Sequence, residues 1–234
     1  MTHGAPNLAH PSSPLILYPE STVVLAPRLF APALYYAAIA CHGHAIVDTA
    51  TRYDKRRKET HRYDIADVRG HLALTVPVQR PHTANSDAKP TWADAAVSDH
   101  GQWWHVHRVT LESAYGRTPY FEFVVDRFAD IIAPPGDCPP SILELAHRAD
   151  SAVRDFLGID CLVEWRPVGN ELATGESSVI DMRTASYDSP SMPPYFQVRA
   201  AELGFIPSLS ILDLIFNLGP EAPLYLRRLA EANF

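Results

Sequence analysis

Residues 205–223, FIPSLSILDLIFNLGPEAP, predict a short helix buried in the core, and this helix decides how the fold is interpreted. Ser208 or Ser210 can cap the helix, because a serine hydroxyl accepts a hydrogen bond from the first free backbone N–H groups. Gly219 supplies a left-handed residue that ends the helix, and Pro220 prevents its continuation. Apolar residues fill every side of the predicted helix, which is typical of a helix inside a core.

Two polar residues, Asp213 and Asn217, lie within this apolar helix. Each must find hydrogen-bond partners, because an unpaired polar group is costly to bury. The spacing Ser210-x-x-Asp213 resembles a capping box in which Asp replaces the usual Glu or Gln. Alternatively, Asp213 pairs with a distant basic residue, namely Lys55, Arg62 or His107. Both roles stay open from the sequence.

The rest of the chain alternates predicted strands and helices. Strands are predicted at Leu15–Tyr18, Ala45–Val47, Leu72–Val78 and Cys161–Trp165. Helices are predicted at Phe30–Cys41, at Trp103–Gly116 and from Ser141 to Gly158. Two further helices are predicted to begin at Pro119, with Thr118 as the cap, and after Gly219. The β-α-β start predicts an α/β fold in a single domain, a mixed sheet with helices packed on it, with α+β as the alternative. We assign residues 14–234 to this domain and predict that residues 1–13, which are polar and contain proline, form a disordered tail.

One face of the predicted helix 103–116 carries Trp104, His107, Leu111 and Tyr115 at helical spacing, so His107 and Tyr115 are expected to point inward. His107 is a candidate catalytic base, although a hydrogen-bonded core histidine explains it equally well. His105 lies about 200° away from His107 on a helix, so this pair does not predict a metal site. We expect neither a metal nor another cofactor.

The composition indicates an ordinary globular protein of 234 residues, with a net charge of -7 that argues against nucleic-acid binding. The longest apolar run, Leu29 to Cys41, has 13 residues and contains a proline, which is short of the roughly 20 needed to cross a bilayer. The three cysteines show no disulfide or metal spacing. We therefore expect a soluble, cytoplasmic protein.

Residues 52–62 hold six of the 20 lysines and arginines of this acidic chain. Such a run is commonly a solvated surface. It is also the composition of an anion site, because guanidinium groups bind phosphate or carboxylate through two parallel hydrogen bonds. The expected ligand of such a site is a small anion.

Several motifs together resemble the WbqC-like family. They are the 205–223 segment, Tyr53-Asp-Lys55 with His61-Arg62-Tyr-Asp-Ile65, Leu72-Ala-Leu-Thr-Val-Pro-Val78, and His107 with Ser113-Ala-Tyr-Gly116 and Thr118-Pro-Tyr-Phe121. The resemblance runs from about residue 15 to the last residue. Within the basic segment it selects Tyr53, Lys55 and Arg62, and it leaves Arg56, Arg57 and Lys58 as surface charge.

The resemblance implies a role in bacterial surface-polysaccharide synthesis of the O-antigen type, with aminoacyl (glycyl) or related acyl transfer to an amino sugar. Such a transfer needs a base and donors for an oxyanion. The predicted catalytic residues are His107, Asp213 and Tyr115; the predicted substrate-binding residues are Tyr53, Lys55, Arg62, Gln197 and Asn217. The alternative is a non-catalytic module that binds an anionic glycan or a sugar nucleotide.

Overall fold

The structure is a computed structural model that describes residues 16–81, 89–168, 178–187 and 191–234. The predicted tail, residues 1–13, lies outside the described residues. The helices are α1 (Ala33–Cys41), α2 (Trp103–Tyr115), α3 (Phe121–Val124), α4 (Ile142–Leu157), α5 (Ala200–Leu203), α6 (Ile211–Leu218) and α7 (Ala222–Asn233). The strands are β1 (Tyr18–Leu25), β2 (His42–Asp48), β3 (Arg62–Asp67), β4 (Gly70–Thr75), β5 (Leu162–Arg166) and β6 (Val179–Asp181).

The α/β prediction is confirmed, and the two kinds of strand pairing are segregated into separate sheets. Four strands form a parallel sheet in the order β5-β2-β1-β6, while β3 and β4 form a separate antiparallel hairpin. Val23 and Leu25 of β1 and Ala45 and Val47 of β2 enter the main core, because alternate residues of a strand share a face. The intervening Val24 and Ile46 bury against Val168 on the other face.

Some predicted boundaries moved for identifiable reasons. The first strand covers Tyr18–Leu25 rather than Leu15–Tyr18, because polar residues in its middle hide the continuity with the buried Val23–Leu25. Thr118 does not cap a helix: its hydroxyl donates to the carbonyl of Tyr115, and α3 begins at Phe121. The short strand β6 was not predicted, because only Val179 and Ile180 mark it.

The capping box at the start of α4 is confirmed. The Ser141 hydroxyl accepts from the Glu144 N–H, and the Glu144 carboxylate accepts from the Ser141 N–H. Gly158 ends the helix with a φ of 63°. These local contacts fix both ends of a 16-residue helix without help from distant parts of the chain.

Helix α6 is buried as predicted, with seven of its eight residues inside the core. Ser210 is its N-cap, and its hydroxyl accepts from the Leu212 N–H. Gly219 follows the helix with a φ of 50°, and a side chain on Gly219 would lie 2.4 Å from the ring of Tyr120. Both the backbone conformation and the contact with Tyr120 require glycine here.

We expect Gly219→Ala to lower the free energy of unfolding more than Gly136→Ala does. Gly136 also has a positive φ, but a side chain there would meet no atom within 4 Å. The free energy of unfolding lost in Gly136→Ala therefore measures backbone strain alone, about 1–2 kcal/mol. Crowding against Tyr120 should add about 1–3 kcal/mol at Gly219. Urea denaturation of both variants measures the difference, and equal losses would contradict the crowding.

Candidate functional site: a basic cleft

A cleft of about 280 Å³ opens between the segment that follows β1, the start of the β3–β4 hairpin and the start of α6. It follows the carboxyl end of a parallel strand, which is where α/β sheets usually bind ligands. Its polar and charged lining residues are Arg28, Arg56, Lys58, Glu59, Arg62, Tyr63, Asp64, Ser208 and Ser210.

Backbone hydrogen bonds hold the three walls of the cleft together. The Ser210 N–H donates to the carbonyl of Asp64 over 2.7 Å, and the Ile211 N–H donates to the carbonyl of Ala31 over 2.9 Å. Pro32 and Ser210, which also form a β-bridge, are the N-caps of α1 and α6. Two helix N-termini therefore lie at the cleft, and each carries partial positive charge.

Two of the cleft residues have left-handed backbones although neither is glycine. Phe30 has a φ of 45° and Ser208 a φ of 59°. Such conformations cost about 1–3 kcal/mol each and persist only where the surroundings enforce them. The Ser208 hydroxyl donates to the carbonyl of Tyr187, and the Phe30 ring packs edge-on against Tyr63 and Phe128.

Within the described residues, none of the four cations of the cleft forms a salt bridge. The Arg62 Nε donates to the Thr75 hydroxyl, which fixes this side chain along the hairpin. Arg56 and Lys58 are exposed. The cleft thus holds four cations beside the carboxylates of Glu59 and Asp64, so its net charge is positive, and its guanidinium groups offer N–H donors to an anion.

The predicted basic residues divide between the cleft and other places. Arg62 lines the cleft, whereas Tyr53 and Lys55 are not among its described lining residues. Tyr53 packs edge-on against Trp92, at 4.7 Å between ring centroids, and Lys55 is exposed. A shared site for these three stays a prediction.

Sequence reasoning missed three cations of the cleft. Arg56 and Lys58 were assigned to plain surface charge, but they lie in the cleft beside Arg62. Arg28 comes from a different part of the chain, and only its place shortly after a strand could have drawn attention to it. Spacing along the sequence does not reveal this convergence, because it depends on how the hairpin packs against α6 beside the segment that follows β1.

His107 and Tyr115 both point inward from α2, as predicted, with 2% and 1% of their surfaces exposed. The His107 Nε2 lies 3.2 Å from the carbonyl of Thr75, so this nitrogen carries the proton. The Nδ1 then accepts from the Tyr63 hydroxyl, 3.1 Å away. Both ring nitrogens are thus engaged by protein groups, and burial lowers the pKa of His107 to about 4.

Asp213 makes neither of the contacts that the sequence offered. Ser210 caps α6 alone, and the Asp213 carboxylate contacts no cation among the described residues. Instead, its oxygens accept from three uncharged donors: the Tyr115 hydroxyl at 2.8 Å, the Tyr195 hydroxyl at 2.5 Å and the Gln197 amide at 3.0 Å. The capping-box prediction and the predicted pairing with Lys55, Arg62 or His107 are therefore both wrong; the partners of Asp213 are uncharged.

The same buried cluster includes Gln197 and Asn217, and it connects several elements. Gln197 exchanges hydrogen bonds with the backbone of Ile206, and the Asn217 Oδ1 accepts from the Val198 N–H. The Tyr115 hydroxyl also accepts from the Ala66 N–H of β3. Gln197 and Asn217, predicted to bind substrate, thus hold the 195–206 segment against α6; a direct contact with substrate stays a prediction.

Burial raises the pKa of Asp213 above its ordinary value, while its three hydrogen bonds act in the opposite direction. Burial and the neighbouring carboxylate raise the pKa of Tyr115 and Tyr195, so both hydroxyls remain protonated donors. The centre of the cluster is therefore a buried carboxyl group whose charged form is stabilised by uncharged hydrogen-bond donors.

We expect Asp213→Ala to lose at least about 3 kcal/mol of unfolding free energy, because two tyrosine hydroxyls and an amide lose their acceptor. Asp213→Asn should lose less, since one oxygen acceptor remains. Ser141→Ala, which removes an ordinary cap worth about 1 kcal/mol, is the matched control. Denaturant melts compare the three variants. An Asp213→Ala loss no larger than that of Ser141→Ala would contradict the role of this cluster.

We expect His107 to make stability depend on pH. Its folded pKa lies below the unfolded value of 6.5, so its contribution is complete above pH 6.5 and is lost as pH falls toward about 4. The loss amounts to about 3 kcal/mol. His107→Gln can keep both hydrogen bonds without titrating, and its melts should lack this component between pH 6.5 and 4. Identical pH profiles of parent and variant would contradict the assignment.

A family match covers all of the motifs quoted above except the 205–223 segment, which lies outside it. The WbqC-like protein family matches residues 27–182. The chain is also 27% identical over 222 residues to the uncharacterized protein Rv1507c of Mycobacterium tuberculosis strain H37Rv, covering 82% of this chain and 91% of that protein. No solved structure matches the chain. Because the family match extends over more than half of the residues, the protein belongs to the WbqC-like protein family.

Proposed function

We propose that the protein binds an anionic sugar intermediate, such as a sugar nucleotide, in the basic cleft and serves bacterial surface-polysaccharide biosynthesis of the O-antigen type. The observation that carries this proposal is the convergence of Arg28, Arg56, Lys58 and Arg62, none of them in a salt bridge with a described residue. The biosynthetic role rests on family membership.

The chemistry of the cleft supports a phosphate-bearing ligand. Guanidinium groups present paired N–H donors that match phosphate oxygens, and a lysine adds a point charge. The N-terminus of α1 adds partial positive charge, and the Ser210 hydroxyl, which accepts from Leu212, keeps its proton as a donor. The volume of about 280 Å³ lies just below the range of about 300–1,000 Å³ for small-molecule sites.

Acyl transfer is the second candidate function, and the carboxylate of Asp64 in the cleft favours it. An aminoacyl (glycyl) or related transfer to an amino sugar needs a base beside the attacking amine. Asp64 reaches the cleft from β3 and is only partly buried. In this scheme His107, Tyr115 and Asp213 act as positioning residues: His107 holds Tyr63, and the other two hold the elements that carry Asp64 and Ser210.

The remaining features fit a small-molecule ligand inside the cell. No helix among the described residues is both long and apolar enough to cross a membrane. Cys41, Cys138 and Cys161 are free thiols, as expected in a reducing compartment, and we therefore propose a cytoplasmic location. The acidic net charge favours a localised anion site over a nucleic-acid surface.

We expect phosphate, sulfate or a sugar nucleotide to raise the melting temperature of the parent protein. The double variant Arg56→Ala/Lys58→Ala should lose most of this rise, because both side chains line the cleft, and both are exposed and therefore dispensable for folding. A thermal-shift screen at constant ionic strength measures the effect.

Arg57→Ala is the matched control, since Arg57 is exposed in the same segment but does not line the cleft. It should keep the full shift. Equal shifts in the parent and the double variant, or no shift with any anion in the parent, would overturn the proposed cleft function. A loss of the melting-temperature rise in Arg57→Ala equal to that in the double variant would show an effect of general surface charge instead of a site.

A further inference from the structure

Arg28 differs from the other arginines of the cleft in how it is held. Its guanidinium lies over the ring of Tyr187, 4.6 Å from the ring centroid. Stacking of this kind holds a cation by its flat face and leaves the N–H groups at its edge available. Tyr187 itself is fixed, because it is buried and its hydroxyl donates to the carbonyl of Met182.

The Arg28 Nε is buried and has no hydrogen-bond acceptor among the described residues. A buried donor without a partner costs free energy, so such a group in a folded protein calls for an explanation. By contrast, the Nε of Arg62, in the same cleft, donates to Thr75. Arg28 therefore lines the cleft with a planar guanidinium that is held over Tyr187 and has one donor left without a partner.

The charges of the cleft indicate the kind of anion. Four cations against the carboxylates of Glu59 and Asp64 leave two positive charges in excess. Two negative charges are carried by a diphosphate diester, one on each phosphoryl group, and equally by a phosphate monoester, so the arrangement of the donors decides between them. The donors also come from two segments, since Arg28 follows β1 and the other three lie at positions 56–62. Two sets of donors suit two linked phosphoryl groups.

We infer that Arg28, stacked on Tyr187, provides a bidentate contact to one phosphoryl group of a diphosphate, and that the second group binds Arg56, Lys58 and Arg62. This inference rests on the proposed anion-binding function and narrows its ligand to diphosphate-linked molecules. It makes Arg28 the residue that distinguishes a diphosphate from a single phosphate.

Isothermal titration with inorganic pyrophosphate, the unsubstituted core of such a ligand, and with inorganic phosphate tests the inference at constant ionic strength. The parent should bind pyrophosphate at least about tenfold more tightly than phosphate. Arg28→Lys keeps the charge but loses the planar pair of donors. It should weaken pyrophosphate binding about tenfold and phosphate binding less than about threefold. Arg57→Lys, at an exposed position that does not line the cleft, is the control and should match the parent.

The outcomes separate this inference from the function on which it rests. If Arg28→Lys binds pyrophosphate within twofold of the parent, while Arg56→Ala/Lys58→Ala loses binding, the proposed role of Arg28 is wrong and the proposed anion site is supported. If the parent binds both anions equally, the diphosphate assignment falls. If the parent binds neither, the proposed function falls as well. Thermal melts of each variant confirm that it is folded at the titration temperature.

Discussion

The fold depends on one buried carboxylate, that of Asp213, which is stabilised by uncharged donors. Its three partners come from α2 and from the segment before α5, while Asp213 itself lies in the first turn of α6. A buried carboxylate without a cation is costly, so each of these hydrogen bonds must be well formed for the charge to be tolerated. This requirement fixes how three distant parts of the chain meet.

The position of the cleft follows from that arrangement. Ser210 precedes Asp213 by less than one helical turn and donates its backbone N–H to Asp64 of the hairpin. The Tyr115 hydroxyl, which binds Asp213, also accepts from the Ala66 N–H of the same hairpin. The hairpin that carries Arg62 is thus attached to the N-cap of α6 directly at Asp64, and to Asp213 of α6 indirectly, through Tyr115 of α2, at Ala66. The hydrogen bonds that hold the polar cluster in the core therefore also position the hairpin that lines the charged cleft.

The sequence predicted those parts of the molecule that depend on local chemistry. The α/β class, the buried α6, the capped α4 and the inward faces of His107 and Tyr115 follow from periodicity and caps. The role of Asp213 was predicted wrongly, because Ser210, three residues earlier, suggested a local capping box. The true donors, Tyr115 and Tyr195, are uncharged, so no charge pattern in the sequence indicates them. Arg28 was not predicted for the same reason: its guanidinium is held by the ring of Tyr187, which lies 159 positions away in the chain.

The left-handed backbones of Phe30 and Ser208 have a consequence for ligand affinity. Glycine at either position would relieve strain, yet it would also give the cleft wall more conformations in the absence of ligand. Phe30 restricts the conformations of the cleft wall, and its packing in the core stabilises the strained backbone. The ordering entropy that a flexible loop would lose on binding is then lost during folding instead. The cleft is in this sense preorganised, and its affinity for an anion need not be reduced by closing a loop.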